Sequence, residues 1–319
     1  MSARSAKKKS TMADKADIHE LYELSVQNVE HETEFLQATF RELSGRTAYL
    51  LREDFCGTAS ASCQWVRQGS DYQAIGVDID PSVLEWGRQN RIGRLDAADR
   101  ARVSLIESDV LEVETPPVDI LVAFNFSYFI FDARETMLRY FKRAYAALKD
   151  DGVFFCDMFG GPESQEETKE KTKHKKHGFT YIWEQAEFHP VTHYMRTHIH
   201  FKFKDGSKIK KAFTYEWRLW SPPEIRELLL EAGFSSATVY WEGEDEDGEG
   251  ELEYGVAFEL MEKSKVIRGG PVGDEECAGA ECQGDDEGVT EGEREVPCSV
   301  PDAPIAGPGE ERAPGFPCP

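Results

Sequence analysis

No stretch of the 319-residue chain approaches the ~18 consecutive apolar residues that a bilayer-spanning helix needs. No apolar run follows the charged start of the chain either, so neither a membrane contact nor a secretory leader is expected. Basic charge is scarce. Thirty-seven Lys and Arg face 60 Asp and Glu, and the formal net charge of -23 repels phosphate backbones, which disfavours nucleic acid as a partner. Paired cysteines are missing too: Cys56, Cys63, Cys156, Cys277, Cys282, Cys298 and Cys318 are odd in number and contain no C-x-x-C. That excludes a zinc ribbon and a disulfide framework, and no metal is expected. A cytoplasmic protein is expected, with Lys7, Lys8 and Lys9 the sole hint of an organellar address.

What is present divides the chain into three. Residues 264–319 hold 8 of the 15 prolines, 10 of the 26 glycines and 13 acidic against 4 basic residues, without tryptophan or tyrosine. Such a segment cannot bury enough apolar surface to offset its ordering entropy, so a disordered acidic tail is expected. Residues 1–16 are small and polar and read as a floppy arm. Residues 17–263 carry the apolar patterning of one folded domain.

Within that domain the patterning is α/β. One long amphipathic helix is expected over Asp17–Leu43. Strands at Thr47–Arg52, Gln73–Val77, Val103–Glu107, Ile120–Phe124 and Val153–Met158 alternate with helices at Ala59–Gln68, Pro81–Asn90 and Ala133–Leu148. This alternation implies a mostly parallel sheet covered on both faces. The rhythm then breaks into three β-type runs, Phe179–Phe188, His193–Phe203 and Ile209–Trp220, with Asp205-Gly206 a hairpin signal between the last two. They predict an antiparallel flap inserted at 179–220. A helix over Pro222–Ala232, capped by Ser221 and stopped by Gly233, and strands Ala237–Trp241 and Val256–Leu260 complete seven core strands plus the flap.

The chemistry is concentrated in Leu50-Leu51-Arg52-Glu53-Asp54-Phe55-Cys56-Gly57-Thr58-Ala59. A strand ends in acids, turns through small residues and enters a helix. About twenty residues on, a second strand ends in Gly76-Val77-Asp78-Ile79-Asp80-Pro81. A small-residue turn admits a ligand to the carboxyl edge of such a sheet, and an acid closing strand two can hold ribose hydroxyls. A nicotinamide enzyme would need G-x-G-x-x-G here, yet Gly57 is the only glycine between Arg52 and Gln68.

These stations resemble the class I S-adenosylmethionine (SAM)-dependent methyltransferases, whose first strand typically reads apolar-apolar-acid-x-G-C-G-T-G. The resemblance spans roughly Asp17 to Lys263. It implies a Rossmann-like seven-stranded sheet, SAM as cofactor, Glu53 near the cofactor's aminoacyl end and Asp78 at its ribose. It further implies that Asp80 caps the next helix and that Asp109 contacts the adenine. Phe55, Cys56, Gly57 and Thr58 fall in the binding turn, Ile79 and Val110 beside the acids, and Asn125 at the end of strand four. Phe55 and Ala59 replace two family glycines, which implies a less open turn.

Four further residues are candidates for catalysis. Tyr128, in Asn125-Phe126-Ser127-Tyr128, follows strand four, while Phe126, Phe129 and Phe131 read as core. Six of the eight histidines lie between His174 and His200. His198 and His200 share a strand face, and His198 is a candidate base. Glu216 and Arg218 alternate with Tyr215 and Trp217 and suit a polar acceptor. Lys169, Lys171, Lys173, Lys175 and Lys176 read as an exposed connector. The expected function is methyl transfer to a small-molecule acceptor. Protein or RNA methylation, and a non-catalytic SAM-binding regulator, are the alternatives.

Overall fold

The computed structural model of the protein describes residues 10–161, 163–241 and 257–262. The tail at 264–319 and residues 1–9 of the arm lie outside the described residues. Helices α1 (Ile18–Val26) and α2 (Val29–Ser44) come first. Strands β1 (Leu50–Asp54), β2 (Gln73–Asp78), β3 (Val103–Glu107), β4 (Val118–Ala123) and β5 (Leu148–Met158) then alternate with α3 (Ser60–Val66), α4 (Pro81–Asn90), α5 (Ala97–Arg100) and α6 (Arg134–Ala147). Four strands come next without a helix: β6 (Thr168–His174), β7 (Phe179–Phe188), β8 (Tyr194–Phe203) and β9 (Lys208–Arg218). Helix α7 (Pro222–Ala232), β10 (Thr238–Trp241) and β11 (Ala257–Glu262) close the domain.

The main sheet runs β10-β11-β5-β4-β1-β2-β3. Strands β1 to β5 pair in parallel, and β11 is antiparallel to both neighbours. Its two faces are sorted by the side-chain period of two. Leu51, Ile120, Val122 and Phe155 pack under Leu36, Phe40 and Trp65 of α2 and α3. Leu121, Ala123, Phe154 and Cys156 pack on Tyr140, Phe141 and Leu228 of α6 and α7. These layers are the two covered faces that the alternation implied.

Every residue of β4 is buried, and one of them is Asp119. Its carboxylate accepts the Tyr49 and Leu50 backbone N–H groups at 3.0 and 2.9 Å and Lys149 Nζ at 2.7 Å, with Arg46 also 2.7 Å away. Burial opposes its ionisation, but these donors prevail and hold its pKa below the ordinary value. The backbone just before β1 is likewise committed to side chains, Tyr49 N–H to Asp119 and Ala48 to Gln37, and β1 begins at Leu50 rather than Thr47.

Three further differences from the sequence reading concern the margins. The long N-terminal helix is two, broken at Gln27–Asn28, with α1 capped by the Asp17 carboxylate. The flap has four strands, because the lysine run forms edge strand β6 paired with β7. Residues 10–16 are no free arm. Met12 N–H donates to Asp205 Oδ2 at 2.8 Å and Ala13 N–H to Ser207 Oγ at 3.1 Å, which fastens them to the β8–β9 hairpin. Met12, Ala13 and Ala16 pack on the cluster that Leu21 shares with Phe179, Ile199, Phe201 and Phe203.

Candidate active site

The parallel strands deliver their last residues to one edge. In spatial order these are Asp109 after β3, Asp78 on β2, Glu53 on β1, Asn125 after β4 and Asp157 on β5. Asp78 organises the binding turn. Its Oδ2 accepts Gly57 N–H at 2.8 Å and its Oδ1 accepts Asp80 N–H at 2.9 Å, while Asp80 caps α4 through Ser82 N–H at 2.8 Å. A Cβ on Gly76 would stand 2.8 Å from Cys56 Sγ, and one on Gly87 2.6 Å from the Thr58 carbonyl oxygen. Both glycines are therefore needed to seat the turn between β2 and α4. Cys56 is buried and its thiol pKa is pushed well up by burial, so it packs rather than reacts.

The turn corrects one expectation. Phe55 (φ 57°) and Ala59 (φ 60°) occupy the left-handed region that glycine favours, so the two replacements preserve the glycine-like path. Ala59 N–H donates to the Cys56 carbonyl at 2.8 Å, and the Phe55 ring lies 5.7 Å from that of Tyr140. Loop closure and aromatic packing impose the conformation.

Glu53 is buried, and its Oε2 accepts Ser62 N–H at 3.0 Å and Ser62 Oγ–H at 2.5 Å. Burial, with a smaller contribution from Glu32 and Asp78, outweighs those bonds and raises its pKa to about 7. Asp157, absent from the sequence reading, behaves alike. Its carboxylate accepts Asn125 N–H at 2.7 Å and Phe126 N–H at 2.9 Å and so clamps two successive left-handed residues. Its pKa is raised to about 7 by burial, opposed by those N–H groups and reinforced by Glu32. The sequence signal for Asp157 was its place at the end of the fifth strand. Asp109 accepts Leu111 N–H at 2.8 Å, Val110 is buried beside it, and Ile79 is largely exposed next to Asp78.

The other candidates separate. Thr58 donates to Glu23 Oε1 at 2.6 Å, so its hydroxyl ties the turn to α1. Tyr128 is fully buried and donates to the Asp157 carbonyl oxygen at 2.8 Å, inside the core rather than at an open site. His198 is buried with Nδ1 2.9 Å from Thr214 Oγ1, on the flap face opposite Ile199 and Trp217. Glu216 accepts from Tyr194 at 3.1 Å. Arg218 donates to the Asp132 carbonyl at 3.0 Å and to Glu224 at 2.9 Å, and stacks 3.7 Å from the Trp220 ring centroid. Glu216 and Arg218 both line a marginal groove of about 540 Å³.

The inner face of the flap is the one that meets the sheet's carboxyl edge. Trp217 lies 6.3 Å from Phe126, and Trp183 lies 6.2 Å from Phe159. Tyr22 of α1 is hydrogen-bonded to Tyr215, and its neighbours include Tyr181 and Asp157. On the same face Thr197 Oγ1 and Trp217 Nε1 are buried with no hydrogen-bond partner among the described residues. Sequence reading placed the acceptor on the Glu216 and Arg218 face of this strand, opposite Tyr215 and Trp217, and did not single out Tyr22 or Thr197.

Comparison with known proteins fits this geometry. Residues 54–156 match the family described as methyltransferase domain. The chain is similar to an S-adenosylmethionine-dependent methyltransferase from Clostridium acetobutylicum (14% identity, 76% of this chain and 96% of that one, TM-score 0.58). It is also similar to CalS10, an amino pentose methyltransferase from Micromonospora echinaspora (13%, 78% and 98%, 0.58), and to the sugar N-methyltransferase KedS8 from Streptoalloteichus (15%, 83% and 98%, 0.55). Comparison with curated proteins finds none that matches. The fold is the Rossmann-like fold of class I methyltransferases. S-adenosylmethionine is the cofactor named in the description of the Clostridium acetobutylicum protein. The donor set suits that molecule: Asp78 keeps unused lone pairs for ribose hydroxyls, and the buried carboxylates of Glu53 and Asp157 favour a cationic ligand.

Proposed function

We propose that the protein methylates a polar small molecule held between the carboxyl edge of the sheet and the inner face of the flap. The observation that carries this is the pair of buried, unpartnered polar atoms on that face, Thr197 Oγ1 and Trp217 Nε1. Leaving them unpaired is costly, and a polar ligand would satisfy them. Two of the similar structures are described as an amino pentose and a sugar N-methyltransferase, and both descriptions point to small, polar acceptors.

SAM supplies an already activated methyl on a sulfonium, so the protein's work is approach geometry and exclusion of water. Glu53 and Asp78 fix the cofactor side, together with Asp109, Val110 and the backbone of Phe55 to Thr58. Tyr22, Tyr181, Tyr215 and Trp217 form the acceptor wall, in place of Glu216, Arg218 and His198. Asp157 holds the Asn125–Phe126 turn between the two sides. Its carboxyl, ionised only in part at neutral pH, is a group able to take up a proton from an acceptor N–H or O–H.

The test is turnover of SAM to S-adenosylhomocysteine against pooled small metabolites. Asp78→Ala should weaken SAM binding at least tenfold, in line with the ~1.5–3 kcal/mol that a bond to a charged group contributes. Trp217→Phe keeps an aromatic side chain while removing the N–H together with the five-membered half of the indole. It should leave SAM affinity within about twofold, under ~0.5 kcal/mol, and lower turnover about tenfold. Normal turnover by Trp217→Phe would place the acceptor elsewhere.

A further inference from the structure

The outer face of the flap carries a second feature that is independent of methyl transfer. Lys202 on β8 stands directly opposite Lys208 on β9. Facing like charges repel, and a sheet ordinarily avoids them. Lower on the same two strands charge is compensated, Arg196 lying 2.5 Å from Glu187 and Arg218 2.9 Å from Glu224. Among the lysines of one groove on this face only Lys169 has a partner, Glu184 at 2.7 Å, and this carboxylate, which also lines the groove, is held by His200 Nε2 at 2.7 Å as well. Lys171, Lys202, Lys208, Lys210 and Lys211 form no ion pair among the described residues, and all five line that groove of about 560 Å³. In a chain with 60 acidic side chains, this uncompensated cluster is conspicuous.

The backbone is bent to assemble it. In a regular strand Lys210 and Lys211 would point to opposite faces. Here the β8–β9 register slips between Ile199 and Phe201, Lys211 takes φ 52°, and its N–H donates to His200 Nδ1 at 3.0 Å. The irregularity lets both lysines line the groove, in the manner of bulges that re-aim side chains. A left-handed lysine is strained, and such strain concentrates where a ligand is bound.

We propose that this groove binds a compact, multiply phosphorylated anion. Its volume falls within the range of small-molecule sites. Ammonium groups on flexible stems act as point charges for phosphate oxygens. The -23 net charge repels an extended polyanion such as RNA, or an anionic membrane, whereas a small anion reaches the local cluster. Apolar Ile182 and Ile209 among the lysines leave room for a non-polar body on the ligand.

The test is titration calorimetry of the full chain with sodium tripolyphosphate at low salt. Binding should occur and weaken steeply as salt rises. Lys208→Glu should reduce affinity at least tenfold. Lys211→Gly removes one ammonium while relieving the strained φ, so it should weaken tripolyphosphate binding severalfold while the melting temperature holds or rises. Both variants should bind SAM as the parent does, which separates loss of the groove from loss of the fold. Unchanged tripolyphosphate affinity in both variants would overturn the proposal. So would binding of RNA or of anionic phospholipid vesicles in the absence of tripolyphosphate binding.

Discussion

Glu53 and Asp157 stand at neighbouring parts of the sheet's carboxyl edge, each with its pKa raised from the ordinary carboxyl range to about 7, principally by burial. Between the unfolded value near 4 and about 7 the folded protein binds more protons than the unfolded chain. These two groups therefore lower stability as pH rises through that window. A cationic ligand reverses the preference and draws both groups towards ionisation. SAM binding should then release protons near neutrality, and its affinity should rise about ninefold between pH 6 and 8 for one proton released. Calorimetry in two buffers of different ionisation enthalpy would count the protons; a flat affinity profile would separate these carboxylates from the cofactor. Glu53 was legible because it sits in a strand–turn–helix motif. Asp157 was not, because its role depends on the left-handed backbone of Asn125 and Phe126, which residue type does not announce. Phe55 and Ala59 show the same limit in reverse: their side chains argued against a glycine-like turn, and closure of the loop prevailed.

At the scale of elements, the parallel strands and their helices were readable because each buries apolar residues with a clear period. Edge strand β6 was hidden. Its Thr168–His174 run alternates polar with polar and faces no deep core, and lysines suit an exposed edge. The break between α1 and α2 was hidden for another reason: the apolar period continues across Gln27–Asn28, and only the Glu32 carboxylate receiving Asn28 N–H at 3.0 Å marks a new start. Helix α7 was legible at both ends. Ser221 and Glu224 form a reciprocal capping box, and Arg218 of the flap binds the same Glu224. Ser221→Ala should cost about 1 kcal/mol and lower the melting temperature by ~2–4 °C in a domain of this size. An unchanged melting temperature would mean that Arg218 alone holds Glu224 in place.

For the whole molecule, acidity is the dominant property, and the contrast between the -23 total and the lysine groove is one that composition alone conceals. Composition does separate the domain from the C-terminal tail. A chain ending at Lys263 should keep the melting temperature and SAM affinity of the full protein, since residues 264–319 offer few aliphatic or aromatic groups for burial. A loss of several degrees would show that they dock. The sheet order β10-β11-β5 also has a bearing on biosynthesis. Among the described residues β11 is the last strand made, it is wedged between two made earlier, and β10 has no other neighbour in the sheet. On the ribosome, therefore, β5 must wait with one edge unsatisfied until Glu262 has been added. Any stall before that point leaves a nascent chain whose open edge invites pairing with another polypeptide.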